Sequence, residues 1–506
     1  MRVSAALRPN SAIPALAWMV ELTPERIVFE YGTGVEADEH HLVEGAWSGE
    51  FPSGDFPEAL TFAGTGVKVV GTDLVFATPT TTLHPLYFHR TRARCFGSNS
   101  LPFLLARAGE NIDPRYPHYQ FDLMSVMYGL RRYRRQIPTR SGTPVLVAHH
   151  CNVRVDRDAR LIWTPKAVPA AFADYAAYAG FLTSEVAAVT TNAQHGDRRI
   201  RYQPLTTVSS GYDSPACAVL ARAAGCRQAV TFVRARSDYG SQDDRGSAIA
   251  DTLGLTVTEH DAADYRAMPS GLLAEFLVTG MGSDDAIFAA LEPQLRGRLL
   301  YTGFHGDKVW ARINNTVGPD IVRGDASGAS MAEFRLRVGF VNLSIPFIGC
   351  VQHPAIHAIS NSDELRPWAL DNEYDRPIPR RLVEEAGVPR ELFGQRKKAA
   401  ALPLVYVHQD DSALADVLSP QALAEFTDFI HDTPLFAGWR DRAEHLAMRS
   451  LQKLNPRLAR LPAIWRLAHW LVEHNAFDKH FKKRTSHVYL FAWAMSQIRA
   501  RYAPRA

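Results

Sequence analysis

Residues 208–214, VSSGYDS, combine hydroxyl, glycine and carboxylate side chains in a pattern suited to binding phosphate. They follow a β-type run over 205–208 and precede an amphipathic helical run over 215–224. A Ser/Gly-rich turn in this position directs backbone N–H groups and a helix N-terminus at one point, where an anion can bind. A carboxylate beside a polyphosphate requires a divalent cation between them, so Asp213 is a predicted Mg²⁺ ligand. The alternative is an ordinary strand-to-helix turn capped by Asp213 and Ser214.

This segment resembles the SGGxDS pyrophosphate loop of the PP-loop ATPases, the group that contains asparagine synthetase, β-lactam synthetase and lasso-peptide cyclases. The chain departs from that loop at one position, where a serine replaces the first glycine. It contains no GxxxxGK[ST] sequence, so a Walker loop is excluded. The resemblance implies that ATP is bound by the residues Val208, Ser209, Ser210, Gly211, Asp213 and Ser214.

A second segment, TGFHGDKVW, begins at Thr302 after an apolar run over 299–302. It is similar to the SGxGxDE segment of the asparagine synthetase family, with Thr302, Gly303 and Asp307 on its Ser, Gly and Asp. The resemblance implies that Asp307 is a second ligand of Mg²⁺ and pyrophosphate, and that Gly303 lets the backbone approach the nucleotide. The alternative is a surface Gly-Asp turn.

Strand and helix signals alternate between these two segments. Residues 229–233 are predicted as a strand, 243–253 as a helix and 256–259 as another strand. This alternation favours a parallel sheet with crossover helices. The resemblance implies an α/β, doubly wound parallel-sheet PP-loop domain of the adenine nucleotide alpha hydrolase-like type. In this family adenine lies at the end of the second strand, here Phe232 and Val233, although Phe232 as a simple core residue is the alternative.

The predicted general base comes from residues 333–347, EFRLRVGFVNLSIPF, which resemble the family's ExRxPF region with an extra stretch inside it. The family position that carries a glutamate in asparagine synthetase, and a tyrosine paired with a glutamate in β-lactam synthetase, is Phe304 here. Because phenylalanine cannot accept a proton, Glu333 is the predicted base for the attacking amine, with His305 as the alternative. The other interpretation of Glu333 is a structural partner of Arg335.

Residues 393–400, FGQRKKAA, are similar to the family's RxK segment, in which a lysine contacts phosphate and the reacting centre. The register places Arg396 and Lys398 on that segment, so Lys398 is a predicted catalytic and ATP-binding residue. The alternative is a solvated basic turn. The preceding segment, residues 374–390, is rich in arginine and is left open between binding an acidic substrate and stabilising a loop.

Residues 79–109 resemble the strand pair and following helix of the class II glutaminase domain that precedes the synthetase half of asparagine synthetase. That domain uses an N-terminal cysteine as its nucleophile. The chain begins Met-Arg-Val, so the expectation is a degenerate, β-rich Ntn-like remnant without glutaminase activity. The predicted domains are residues 1–165 for the remnant, 166–404 for the ATP-binding unit and 405–506 for a helical C-terminal region.

Composition favours a cytoplasmic protein. The chain has 506 residues with 46% hydrophobic content, enough for two or three domains with substantial cores. A formal net charge of +3 gives no broad electrostatic case for nucleic acid or membrane. The five cysteines have no CxxC spacing, and no apolar run reaches membrane-spanning length. The thiols are predicted to be reduced, and a homodimer is left open.

Together the resemblances imply an ATP-dependent, AMP-forming ligase. It would use ATP and Mg²⁺ to adenylate the carboxylate of a small-molecule or peptide substrate, and an amine or ammonia would then form the amide. Two alternatives stay open at this point. One is a nucleobase- or tRNA-modifying PP-loop enzyme, and the other is a non-catalytic ATP-binding protein.

Overall fold

The computed structural model describes residues 4–114, 116, 118–237, 240–395, 418–433 and 484–503. Within them the protein is mixed α/β, with two mainly antiparallel sheets in the N-terminal part and a parallel sheet further along the chain. The N-terminal strands are β1 (Ser4–Pro9), β2 (Trp18–Leu22), β3 (Arg26–Tyr31), β4 (Glu36–Ala37), β5 (His41–Trp47), β6 (Phe62–Val70), β7 (Asp73–Ala77), β8 (Leu86–Arg90), β9 (Cys95–Ser98), β10 (Gln136–Ile137), β11 (Val145–Ala148), β12 (Cys151–Val155) and β13 (Leu161–Pro165).

The two N-terminal sheets share an apolar core. Their strand orders are β1-β3-β2-β9-β8-β11-β10 and β13-β12-β7-β6-β5-β4, and only β1 and β3 pair in parallel within them. Trp18 and Phe29 from the first sheet are buried in one cluster with Val67 and Phe76 from the second. The Trp18 and Phe76 rings stack with their centroids 6.1 Å apart. Alternation of inward apolar residues along the strands therefore builds a sandwich.

The third sheet is parallel throughout and has five strands. They are β14 (Gln203–Thr207), β15 (Gln228–Phe232), β18 (Thr256–His260), β19 (Arg298–Thr302) and β20 (Val341–Ser344), in the order β18-β15-β14-β19-β20. The chain therefore moves outward from β14 through β15 to β18, and then returns to the opposite side of β14 with β19. Between β15 and β18 lies an antiparallel hairpin of β16 (Arg234–Ser237) and β17 (Gly240–Asp243).

Helices connect and cover these sheets. The α-helices are α1 (Leu101–Ala108), α2 (Tyr119–Met124), α3 (Tyr175–Ala193), α4 (Asp213–Ala223), α5 (Ser247–Thr252), α6 (Ser270–Leu277), α7 (Glu292–Leu295), α8 (Gly306–Val309), α9 (Ala332–Val338), α10 (His353–Ser360), α11 (Pro377–Glu385), α12 (Pro420–Asp432) and α13 (Arg484–Arg501). Short 3₁₀ segments separate several of them, including residues Ala286–Leu291.

Most of the strands and helices predicted between residues 203 and 302 are confirmed. The predicted strands correspond to β14, β15, β18 and β19, and the helix after VSSGYDS is α4. The predicted helix over 243–253 is wrong at its start, because Asp243 ends β17 and α5 begins at Ser247. In the N-terminal part, β8, β9 and α1 form the expected strand pair and helix. Among the described residues, no helix combines the length and apolar character needed to cross a bilayer.

Candidate functional site

The two predicted phosphate-binding segments follow neighbouring strands and touch each other. The segment after β14 and the segment after β19 leave the parallel sheet at the same edge. A Cβ atom at Gly303 would lie 2.8 Å from the Cβ of Asp213, and one at Gly306 would lie 2.5 Å from its Cγ. No larger residue fits either position without displacing Asp213. The structure therefore brings Asp213 together with the segment that carries Asp307.

Hydrogen bonds within the 209–214 turn fix its shape. The Ser209 and Ser214 hydroxyl oxygens lie 2.8 Å apart, and the Gly211 N–H donates to Ser209 Oγ over 3.2 Å. The Ser210 hydroxyl donates to Asp244 Oδ1 over 2.7 Å. Ser210 thus attaches the turn to the residues after β17. Val208, which precedes the turn, is buried.

An arginine that the sequence analysis left unassigned lies against the turn. Arg376 is buried and donates from Nη1 to the carboxylate of Asp213. Burial disfavours its charge, but the Asp213 carboxylate holds the pKa of Arg376 above the ordinary value. On the following helix, Arg380 donates to the hydroxyl of Tyr212. Two buried arginines from the arginine-rich segment therefore line the turn. In the sequence, only the density of arginine in that segment indicated such a role.

A third buried cation, Arg323, lies near Asp307. A Cβ atom at Gly324 would lie 2.7 Å from Asp307 Oδ2, so the backbone beside Arg323 packs against this carboxylate. Arg323 is 5% exposed, and its Nε and Nη1 have no hydrogen-bond partner among the described residues. Burial lowers the pKa of Arg323, and nearby carboxylates, Asp307 included, partly oppose this effect. The Arg323 guanidinium therefore lies beside the segment that carries Asp307, and its Nε and Nη1 groups are available to donate hydrogen bonds.

The two aspartates fit a magnesium nucleotide. Mg²⁺ in nucleotide sites is held by one or two protein carboxylates together with phosphate oxygens and water. Asp213 and Asp307 supply such a pair from adjacent strand ends. Within the described residues, no group of three or more His, Cys, Asp or Glu side chains is arranged to hold a metal ion by itself. The two carboxylates thus suit a metal ion whose other ligands are phosphate oxygens and water.

The remaining predicted nucleotide contacts lie at the ends of β15 and β19, the two strands that flank β14. Phe232 is half-buried at the end of β15, and its ring contacts Phe288 with centroids 5.6 Å apart. The Val233 N–H donates to the carbonyl of His260. Thr302 at the end of β19 is buried and donates from Oγ1 to Asn342 Oδ1 over 3.1 Å.

His305 lies inside the second segment. It has a φ of 72° and precedes the short helix α8. Its ring stacks on Phe347 with centroids 4.6 Å apart, and its Nδ1 is buried without a hydrogen-bond partner among the described residues. Burial, aided by Arg323, lowers the pKa of His305 well below its ordinary value. The imidazole is therefore neutral at physiological pH.

The Glu333 carboxylate bonds to residues outside the 209–214 turn and the Asp307 segment, and its expected role as the base stays a prediction. Glu333 lies on α9, which ends at Gly339 with a φ of 84° before β20 begins. Its carboxylate accepts from the Tyr502 hydroxyl over 3.0 Å, on α13's C-terminal side. Ser100 also hydrogen-bonds it. The turn at Gly339 and strand β20 separate Glu333 from Phe347, so the two ends of the ExRxPF-like region lie in different surroundings.

Arg335 has a structural role of its own. It forms a bidentate pair with Glu44 on β5, with N···O distances of 2.5 and 2.7 Å, and both side chains are buried. This pair joins α9 to the N-terminal sandwich. The predicted residues Arg396 and Lys398 lie outside the described residues.

In comparisons with known proteins, no protein-family model matches this chain and no curated protein matches its sequence.

Proposed function

We propose that this protein is an ATP-dependent, AMP-forming ligase that adenylates a carboxylate and forms an amide with an amine or ammonia. One observation carries the proposal. Asp213 and Asp307 arrive from adjacent parallel strand ends, with the hydroxyl-rich turn 209–214 beside them. Two carboxylates next to a phosphate-type turn suit a metal-bound polyphosphate better than any other common ligand.

The proposal includes a doubly wound PP-loop domain. In open parallel sheets, ligands bind outside the carboxyl ends of the strands where the strand order reverses. Here the order reverses between β14 and β19, and the two candidate segments follow these two strands. We propose that residues 166–404 form this domain and that residues 1–165 are a glutaminase-like remnant. Most of the predicted helical C-terminal region, residues 405–506, lies outside the described residues, and its described helix α13 packs against α1 and α6.

Each side chain of the site has a role in this proposal. The 209–214 turn, with α4 behind it, binds phosphate oxygens through backbone N–H and hydroxyl groups. Asp213 and Asp307 hold Mg²⁺, which when bound neutralises charge on the departing pyrophosphate. Arg376 and Arg323 add fixed positive charge on two sides of the same space. Such preorganised charge favours a transition state in which negative charge develops on phosphate.

The loop between β7 and β8 brings the N-terminal part to the site. A Cβ atom at Gly328 would lie 2.5 Å from the Phe304 ring and 3.1 Å from a methyl group of Leu83. Leu83 belongs to the residues between β7 and β8. We propose that this loop forms part of the wall around the acid substrate, so that the remnant keeps a binding role.

Exchange of labelled pyrophosphate into ATP tests the proposal. The wild-type chain is incubated with ATP and Mg²⁺, together with each of the proteinogenic amino acids or short dicarboxylic acids in turn. Exchange that depends on one acid and is lost in Asp307→Ala supports the ligase. ATP hydrolysis to ADP without any acid-dependent exchange would contradict it.

A further inference from the structure

Asp284 is a buried carboxylate that the fold does not use. It lies in the connection after α6 and is 6% exposed. Its Oδ1 is fully buried and has no hydrogen-bond partner among the described residues. A buried carboxylate without partners is costly, and proteins generally retain one only where another group interacts with it.

The neighbouring Asp285 provides the contrast. Its carboxylate accepts from the Gly328 N–H over 2.7 Å, and from the N–H and hydroxyl of Ser330 over 3.0 and 2.7 Å. These hydrogen bonds attach the connection after α6 to residues 328–330. Asp285 therefore has a structural role. No comparable account exists for Asp284 within the described part of the chain.

Contacts of its neighbours place Asp284 at the edge of the candidate site. Gly328, which bonds to Asp285, packs directly on the Phe304 ring. Phe288, four residues after Asp284, contacts Phe304 with ring centroids 6.1 Å apart. The connection therefore borders the segment that follows β19, on its Phe304 side.

Arg323 links Asp284 electrostatically to the predicted metal ligand. The charge on Arg323 interacts with Asp284 as well as with Asp307. Its Nε and Nη1 also have no hydrogen-bond partner among the described residues. The Asp284 carboxylate and the Arg323 guanidinium are both buried beside the segment that follows β19, and both keep atoms without a hydrogen-bond partner among the described residues. This combination indicates a site for a polar ligand rather than a packed core.

We propose that Asp284 binds the attacking amine and accepts its proton during amide formation. This inference rests on the proposed ligase function. The amine nitrogen forms a bond to the acyl carbon of the acyl-adenylate, and the bond from that carbon to the AMP oxygen breaks. The electron pair leaves with AMP, and one proton of the amine moves to the Asp284 carboxylate. Asp284 thus takes the role first expected of Glu333.

The ionisation of Asp284 suits this role. Burial raises its pKa to about 8, the carboxylates of Asp285 and Asp325 add to the effect, and Arg323 opposes it. A base whose pKa lies near the working pH transfers protons efficiently. A bound ammonium group would stabilise the carboxylate form and lower the pKa.

A pair of isosteric variants tests the inference by turnover. With the acid identified by pyrophosphate exchange and with hydroxylamine as the amine, Asp284→Asn should retain acid-dependent exchange but lose hydroxamate formation by about 10²- to 10⁴-fold. Asp325→Asn, which alters an exposed carboxylate in the same cluster, should stay within about threefold of wild type. Hydroxamate formation by Asp284→Asn at the wild-type rate would overturn the inference while leaving the ligase proposal intact.

A second measurement needs no turnover, so it distinguishes failure of this inference from failure of the ligase proposal. Infrared difference spectra of wild type and Asp284→Asn isolate the carboxyl stretch of Asp284 during a pH titration. Methylammonium chloride should shift that titration to lower pH, whereas sodium chloride at equal ionic strength should not. Identical titrations in the two salts would overturn the inference even if exchange had been observed.

Discussion

Arg376 donates a charged hydrogen bond to the carboxylate of Asp213, although the two residues are 163 positions apart in the chain. The pair attaches the segment before α11 to the turn that follows β14. Because a charged group at a buried position requires a counterion, the partly exposed Asp213 carboxylate compensates the buried Arg376 guanidinium. With a nucleotide present, the same guanidinium would lie within reach of its phosphates.

Replacing Arg376 should therefore impair the nucleotide reaction more than it impairs folding. Arg376→Ala is expected to reduce acid-dependent pyrophosphate exchange by about 10²-fold, the usual cost of removing a preorganised charge from such a site. Arg376→Lys keeps the charge but not the forked geometry, so it should recover part of the rate. Steady-state exchange assays at saturating acid check both variants.

The control for this pair is Arg381→Ala. Arg381 lies on α11, the helix that begins directly after Arg376, but it pairs with Glu364 and Glu385 rather than with the turn. Exchange by this variant should equal that of wild type. An Arg376→Ala variant no slower than Arg381→Ala would show that Arg376 has no function at the site.

Glu333 should affect stability in a pH-dependent way. Burial raises its pKa to about 7 from an ordinary value of 4.5. The folded protein then binds more protons than the unfolded chain between these values, so its stability falls as pH rises through this window. Since one pKa unit corresponds to about 1.4 kcal/mol, the penalty above pH 7 reaches about 3 kcal/mol.

The variant Glu333→Gln removes this penalty and keeps an acceptor for the Tyr502 hydroxyl. Its free energy of unfolding should match wild type at pH 4.5 and exceed it at pH 8, as measured by urea denaturation. Its amide formation should stay near the wild-type rate. Loss of amide formation with intact exchange would instead support Glu333 as the base.

The buried pair between Arg335 and Glu44 should contribute strongly to stability. Glu44→Gln leaves the Arg335 charge buried without its counterion, which typically costs about 3–5 kcal/mol. The exposed pair between Arg366 and Asp363 provides the comparison, and Arg366→Ala should cost less than about 1 kcal/mol. Denaturant unfolding of both variants at neutral pH measures the difference, and equal losses would contradict the assigned role of the buried pair.

Local patterns predicted the parallel sheet well. The strands β14, β15, β18 and β19 are short runs that contain apolar or β-branched residues and end in polar turns, and this signal depends only on neighbouring residues. The predicted start of α5 at Asp243 is wrong because Asp243 belongs to β17, and pairing of β17 with β16 overrides the local helix preference. The antiparallel strand pair β8 and β9, with α1 after it, could equally be predicted from the sequence.

Long-range contacts account for the parts of the site that sequence reasoning did not predict. Arg376 meets Asp213 only because α11 packs against α4, and nothing in the residues near Arg376 indicates that partner. Glu333 was chosen from motif spacing, but the turn at Gly339 and strand β20 separate it from Phe347. Asp284 has no motif around it, and its missing partners can be recognised only in three dimensions.

The proposed function requires Asp213 and Asp307 to hold a metal-bound nucleotide between the ends of β14 and β19. Binding of ATP to the full chain, measured calorimetrically with and without Mg²⁺, tests this requirement. We expect Mg²⁺ to tighten ATP binding by about tenfold or more in wild type. In Asp213→Ala and Asp307→Ala this gain should disappear while circular dichroism shows an unchanged fold. Absence of ATP binding in wild type, or an undiminished Mg²⁺ effect in both variants, would contradict the account.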